Sequence, residues 1–75
     1  MNRLQDKELE FAIFCIENVA IFLKRDAQDV YKMLTEESII LYDYIVAEYE
    51  VLHTQSKEYI VDDIVGFMKE KGVIG

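Results

Sequence analysis

The most regular pattern in this 75-residue chain is SKEYIVDDIVGFMKEK, residues 56–71. Apolar side chains recur there at helical spacing and form one stripe: Ile60, Val61, Ile64, Val65, Phe67 and Met68. The charged side chains of Asp62, Asp63, Lys69 and Glu70 turn outward. Gly72 follows at the position where a left-handed residue commonly ends a helix. The pattern predicts an amphipathic helix from about Ser56 to Lys71 that packs by one face. Gly66 marks either a close approach of another backbone or a tolerated surface glycine.

A polar joint precedes this helix and consists of His53, Thr54, Gln55 and Ser56. Thr54 and Ser56 compete as the N-cap of the helix. His53 is the only histidine, and a general base needs a partner within hydrogen-bond reach. Because the nearby hydroxyls are expected to cap the helix, we expect a structural His53 bonded to a backbone carbonyl or a Tyr. A metal site would have to recruit Glu58, Asp62 or Asp63, and one histidine with scattered carboxylates is weak support for such a site.

Two further helices are predicted before the joint. Ser38 could cap a third helix over roughly Ile39 to Leu52, with one apolar arc: Leu41, Tyr42, Ile45, Val46, Tyr49 and Leu52. Its Ile, Val and Tyr residues are also strand formers, but a lone strand would have no partner to pair with. Asp26 is a plausible N-cap of a short second helix, whose apolar positions are Ala27, Val30, Tyr31 and Leu34. A polar turn of Glu36, Glu37 and Ser38 joins the two.

The first helix is predicted from about Gln5 to Lys24. One broad apolar arc contains Phe11, Ala12, Cys15, Ile16, Val19, Phe22 and Leu23. Phe14 and Ile21 break the division, because they lie among the charged residues Glu10, Glu17 and Lys24. Either other helices surround this helix and cover them, or they form an interface stripe framed by charges.

Other candidate chemical groups have ordinary structural explanations. Cys15 lies on the predicted buried arc, where a cysteine behaves as a small apolar residue. Asp62 and Asp63 point about 100° apart on a helix and do not converge on one proton or ion. Four tyrosines cluster around the joint, and interface use and core-edge packing are both open for them: Tyr42, Tyr44, Tyr49 and Tyr59.

Composition restricts the function classes further. The net charge of −7 argues against nucleic-acid binding, which depends on Lys and Arg neutralising phosphates. Apolar residues make up 52% of the chain, which favours burial against a second copy or a partner. No run approaches the length of a membrane span, and the N-terminus has no apolar signal core. A single cysteine suits a reducing cytoplasm. We expect no cofactor.

Several stretches resemble an uncharacterised bacterial family of small proteins known only as a domain of unknown function. The matching stretches are residues 11–18, Asp43-Tyr44-Ile45, and Val51-Leu52-His53-Thr54-Gln55 followed by Tyr59-Ile60-Val61-Asp62-Asp63-Ile64. Members typically carry Gly where this chain has Ser56, which favours Ser56 as a capping residue here. The resemblance implies gene neighbours that look like ADP-ribosyltransferases, and hence an acidic helical partner of a toxin-like enzyme.

These observations predict one all-α domain over residues 1–75, with about four helices and a long central first helix. The fourth helix should pack along the first. The expected function is a non-catalytic protein–protein interaction module, either a homodimer or an accessory subunit. Its predicted interface comprises Phe14, Glu17, Ile21, Tyr44 and Tyr59. The alternatives are an antitoxin-like regulator of a neighbouring enzyme and a small enzyme or metal-binding protein centred on His53.

Overall fold

The computed structural model describes residues 6–74, which form helices and no strand. The elements are α1 (Asp6–Leu23), α2 (Ala27–Thr35), a π-helical segment (Leu41–Val46), α3 (Tyr49–Leu52) and α4 (Lys57–Glu70). The all-α prediction and the long first helix are confirmed. The predicted start of the first helix at Gln5 lies outside the described residues.

Helix α1 packs against α2, α4 and the π-helical segment, which agrees with its predicted central position. One hydrophobic cluster joins these elements, and its fully buried large side chains are Val19, Val30, Leu34, Ile45, Ile60, Ile64 and Met68. Among residues 6–74, every buried side-chain nitrogen or oxygen atom has a hydrogen-bond partner. A chain of this size depends on such a core, because it has no disulfide to support it.

Two helices end in the same left-handed turn. At the end of α4, Gly72 has φ +76°, and the Val73 N–H donates to the Met68 carbonyl at 3.0 Å. At the end of α1, Lys24 has φ +58°, and the Arg25 N–H donates to the Ala20 carbonyl at 3.0 Å. Both are Schellman-type ends, in which the left-handed residue lets the chain satisfy the last carbonyls. The predicted role of Gly72 is confirmed, while Lys24 adopts the same conformation with a side chain.

The predicted third helix over Ile39–Leu52 forms, but it is not continuous, so the prediction of a single helix is wrong. The segment divides into the π-helical turns and the short α3, so the described chain has five helical segments rather than four. Glu48 separates them, with φ −103° and ψ 20°. Tyr, Asp, Ile and Val, which are weak helix formers, dominate the π-helical turns, so tertiary contacts decide the backbone there. The wider π-helical turns direct Leu41 and Ile45 into the core and leave Tyr42 exposed. The N-cap position of the π-helical segment is Ile40 rather than the predicted Ser38, and it makes no side-chain capping bond. Ser38 Oγ accepts the Ile40 N–H at 3.3 Å in the turn just before it.

The buried face of α2 differs from the predicted one. Val30 and Leu34 are buried as expected, but Met33 completes the face, while Ala27 and Tyr31 are exposed. Two overlapping helical stripes share Val30 and Leu34, and the direction from which α1 and the π-helical segment approach selects between them. Asp26 occupies the predicted N-cap position without making a side-chain capping bond.

Helix α4 follows its prediction closely except at Asp63, which was expected to turn outward but is partly buried and accepts a hydrogen bond from the Tyr44 hydroxyl. Ile60, Val61, Ile64, Val65 and Met68 are buried, and Phe67 packs partly buried against them. The competition between the two possible caps is resolved in favour of Ser56, whose Oγ accepts the Tyr59 N–H at 3.1 Å. Thr54 instead donates to the Val51 carbonyl at 2.8 Å. A Cβ added at Gly66 would meet no atom within 4 Å, so Gly66 is a surface glycine rather than a point of backbone contact.

Candidate functional site

Helix α1 carries large apolar side chains on the side that the other described residues, within 6–74, leave open. Ile21 is 75% exposed, Phe22 60% and Phe14 38%. The core formed by residues 6–74 therefore does not cover the stripe that breaks the charge pattern of the first helix. Phe22 was predicted on the buried arc of α1, and this prediction is wrong. Phe22 lies in the last turn of α1, and the first turn of α4, which is its neighbour, does not cover its ring.

An apolar groove of about 580 Å³ lies between the C-terminal half of α1 and the N-terminal half of α4. Its lining residues are Asn18, Ile21, Phe22, Lys57, Glu58, Tyr59, Val61 and Asp62. Val61 is buried, while Tyr59 is 51% exposed. The groove thus combines apolar side chains from both helices with charged side chains from α4.

Two helix boundaries position the groove. The left-handed Lys24 ends α1 directly after Phe22 and Leu23, which places Phe22 in its last turn. The Ser56 cap starts α4 at Lys57, so Tyr59 and Val61 fall in its first two turns. The predicted polar joint therefore contributes indirectly, since it sets where α4 begins.

The charged side chains of the groove are mainly acidic. Glu58 and Asp62 stand one helical turn apart on α4 and accompany one cation, Lys57. Glu17 is exposed on α1, one turn before Ile21. The ion pairs found among residues 6–74 involve neither Glu58 nor Asp62.

The predicted interface residues do not all lie together. Ile21 and Tyr59 line the groove, and Glu17 flanks it. Phe14 lies two turns from Ile21, where its ring stacks on Phe11 with centroids 6.2 Å apart. Phe14 therefore extends the exposed face of α1 beyond the groove.

Tyr44 lies elsewhere and makes intramolecular contacts. Its ring packs against Phe67 with centroids 4.5 Å apart, and its hydroxyl donates to Asp63 Oδ2. Burial, followed by the hydrogen bond to Asp63, raises the pKa of Tyr44 above its ordinary value. These contacts tie the π-helical segment to α4.

The polar joint is on the surface. The His53 ring stacks on Tyr49 with centroids 4.6 Å apart, and its Nε2 lies 3.9 Å from Glu50 Oε1. His53 therefore contacts a tyrosine through its ring face rather than through a hydrogen bond. The Gln55 N–H donates to the Leu52 carbonyl at 2.9 Å, which closes the turn. Phe11 meets Tyr49 edge-on, so an aromatic row runs from His53 to Phe14.

Chemically reactive arrangements are scarce in the described residues. Cys15 is fully buried, and burial raises the pKa of its thiol to about 12, so the nucleophilic thiolate is disfavoured. Within residues 6–74, no three His, Cys, Asp or Glu side chains lie close enough together to hold a metal ion. Over the same residues, none of the helices combines the length and apolar character needed to cross a membrane.

The sequence pattern alone missed Phe22 and Val61 as groove residues. Their apolar positions matched a buried stripe, and only the meeting of α1 with α4 distinguishes a groove wall from the core. The charged Lys24 and Arg25, which follow Phe22 within three residues, indicate that the helix end and its last turn are near solvent.

The fold and the site define a small all-α protein with an open apolar groove between its first and last helices. The chain belongs to the family described as Protein of unknown function (DUF3791), which matches residues 10–71. The resemblance to an uncharacterised family is thereby confirmed. The chain matches no curated protein and no solved structure.

Proposed function

We propose that this protein is a non-catalytic protein–protein interaction module, acting as a homodimer or as an accessory subunit. Its docking face consists of Phe14, Ile21, Phe22 and Tyr59. The observation that carries this proposal is the exposure of Ile21 and Phe22 beside an apolar groove. Contiguous exposed apolar surface rimmed by polar groups is typical of a protein-binding site.

The energetics of the exposed apolar side chains support the same function. Ile21 and Phe22 contribute little to the stability of the isolated chain, because most of their surface stays in water. Their apolar surface becomes favourable only when another molecule covers it. Tyr59 adds a side chain that can be half buried and still form hydrogen bonds, as is common at interfaces.

A two-hybrid screen tests this function without assuming the partner. The bait is the full chain, and the prey are fragments of the source genome together with the chain itself. We expect an interaction that Phe14→Glu and Ile21→Asp weaken, because both place a charge in the docking face. The matched control is Ile39→Asp, which changes an isoleucine that is 60% exposed and lies outside the groove.

The outcome separates the two modes of action. Loss of a self-interaction would favour the homodimer, and loss of a different interaction would favour the accessory subunit. Interactions that respond to none of these substitutions, or equally to the Ile39→Asp control, would contradict the docking face. Light scattering on the purified chain gives an independent measurement of self-association.

A second candidate is an antitoxin-like regulator that neutralises a neighbouring ADP-ribosyltransferase-like protein. The net charge of −7 favours it, because an acidic chain with an open apolar face suits a basic enzyme partner. Co-expression with the product of the flanking gene tests it. We expect growth to recover with the wild-type chain and not with Ile21→Asp, and equally poor growth with and without the wild type would contradict this candidate.

A further inference from the structure

The geometry points to a specific occupant of the groove: an amphipathic helix of a different protein, whose apolar stripe is flanked by Lys or Arg. This inference rests on the proposed function and specifies the partner chemistry of the same face. Three properties of the molecule support it, namely the shape of the groove, the charge of its rim and the charge of the chain's own apolar stripe.

The shape suits a helix. Two helices form the walls, and Ile21, Phe22 and Val61 give the groove an apolar lining. A groove between two helices receives an amphipathic helix through apolar side chains spaced at i, i+3, i+4 and i+7. The volume of about 580 Å³ lies within the range of protein clefts that enclose a drug-sized ligand.

The charged side chains at the edge of the groove are two acids, Glu58 and Asp62, and one base, Lys57, so the edge favours a cationic partner. Glu58 and Asp62 are like charges at i and i+4 on α4, a spacing at which they repel each other. Neither takes part in an ion pair with the described part of the chain. A Lys or Arg from the partner placed between these carboxylates would relieve the repulsion and add attraction beside an apolar surface, where screening by water is reduced.

A second copy of this chain fits the groove poorly. Its own exposed apolar stripe, Phe14 and Ile21, is flanked by Glu10 and Glu17 on α1 and by one cation, Lys24, just past the end of the helix. Docking that stripe into the groove would bring two carboxylates and only one ammonium group against Glu58 and Asp62. Juxtaposed like charges oppose association strongly, so a different protein is the better occupant.

Two synthetic peptides test the inference. Each has about 16 residues, long enough for measurable helicity, and carries Leu at i, i+3, i+4 and i+7. One peptide carries Lys beside the stripe, and the other carries Glu at the same positions. Fluorescence anisotropy against the full chain measures both affinities at low and high salt. We expect the Lys peptide to bind at least about tenfold more tightly, with the difference shrinking at high salt.

Matched variants locate the binding. Ile21→Ser removes an exposed groove side chain and should weaken the Lys peptide at least about fivefold, whereas Ile39→Ser should not. Asp62→Lys should weaken the Lys peptide and improve the Glu peptide. The control is Glu70→Lys, the same charge change about two turns further along α4. All four positions are exposed, and thermal melting verifies that each variant folds.

The results distinguish this inference from the proposed function. Equal binding of both peptides, or equal effects of Asp62→Lys and Glu70→Lys, would overturn the inference, because attraction to the acidic surface would then be nonspecific. Absence of peptide binding together with self-association that Ile21→Ser abolishes would overturn the inference and leave the interaction module standing. Absence of peptide binding, of self-association and of any two-hybrid interaction that depends on Ile21 would overturn both.

Discussion

Gly66 and Gly72 should respond in opposite directions to the same replacement by alanine. Gly66 lies inside α4, and Gly72 lies just past its end. A Cβ added at either position would meet no atom within 4 Å, so steric clash distinguishes neither site. The difference is the backbone, because Gly72 has φ +76° while Gly66 has ordinary helical geometry.

The expected magnitudes follow from this difference. Inside a helix, Gly is less favourable than Ala by about 1 kcal/mol, so Gly66→Ala should raise the free energy of unfolding by about 0.5–1 kcal/mol. At Gly72, a left-handed backbone costs an L-residue about 1 kcal/mol, so Gly72→Ala should lower the free energy of unfolding by a similar amount. In a domain of this size, 1 kcal/mol corresponds to a Tm change of roughly 4–8 °C.

Circular dichroism measures both effects through thermal melting and urea unfolding in one buffer. We expect Gly66→Ala to melt several degrees above the wild type and Gly72→Ala several degrees below it, with unchanged urea m-values. A lower Tm for Gly66→Ala would refute the open environment assigned to that position. Changes of the same sign at both positions would refute the argument from backbone conformation.

Three further changes test the ends, the core and the titration of the fold. Lys24→Gly removes the strain of a side chain at a left-handed position and should raise the free energy of unfolding by up to about 1 kcal/mol. Urea titration measures this change, and no gain in stability would contradict the strain assigned to Lys24. Ile64→Ala should lower the free energy of unfolding by about 2–5 kcal/mol, because Ile64 is fully buried. Ile21→Ala should change it by no more than about 0.5 kcal/mol, because Ile21 is exposed. Similar losses at both positions would mean that Ile21 packs on its own chain. The pKa of Cys15 rises from 9.0 to about 12 on folding, so the unfolded thiol ionises first and stability should fall as pH rises through that window. Urea unfolding at a series of pH values should show a shallower decline for Cys15→Ala, and parallel declines would contradict the burial of the thiol.

Local sequence signals were sufficient for α4. Ser56 supplies the cap, Ile60 and Ile64 belong to an unbroken stripe, and Gly72 terminates the helix. Each signal acts within a few residues, so the local sequence is enough to predict where the helix begins, which face it buries and where it ends. The same holds for the turn at Ser38, whose hydroxyl bonds the Ile40 N–H and the Met33 carbonyl.

Long-range contacts decided what local patterns left open. Between Ile39 and Leu52, propensity permits helix or strand, and contacts such as that of Tyr44 with Asp63 hold the observed π-helical turns. Tyr31 and Phe22 satisfied the helical spacing of buried residues but lie on surfaces that none of the helices in residues 6–74 covers. The groove itself joins Ile21 to Tyr59, residues far apart in sequence, and periodicity cannot predict that pairing.

The apolar area available in the groove limits how tightly a short helix can bind. Burying the exposed parts of Ile21, Phe22 and Tyr59 would contribute about 3–6 kcal/mol, whereas association costs about 4–15 kcal/mol in lost freedom. A partner that fills only the groove should therefore bind weakly, and tighter binding requires further surface. Phe14 offers that surface on the same face, two helical turns from Ile21 and about 10 Å along the axis.

Extending the apolar stripe of the Lys peptide by two turns should let it reach Phe14. We expect the longer peptide to bind at least about tenfold more tightly than the shorter one, since burying the exposed part of a phenylalanine contributes roughly 1 kcal/mol and the added turns also stabilise the helix. Phe14→Ser should weaken the longer peptide and leave the shorter one unchanged in the anisotropy assay. Equal sensitivity of the two peptides to Phe14→Ser, or no gain on lengthening, would show that the docking face does not continue along α1. In either case the added turns of the longer peptide would make no contact of their own with the Phe14 ring.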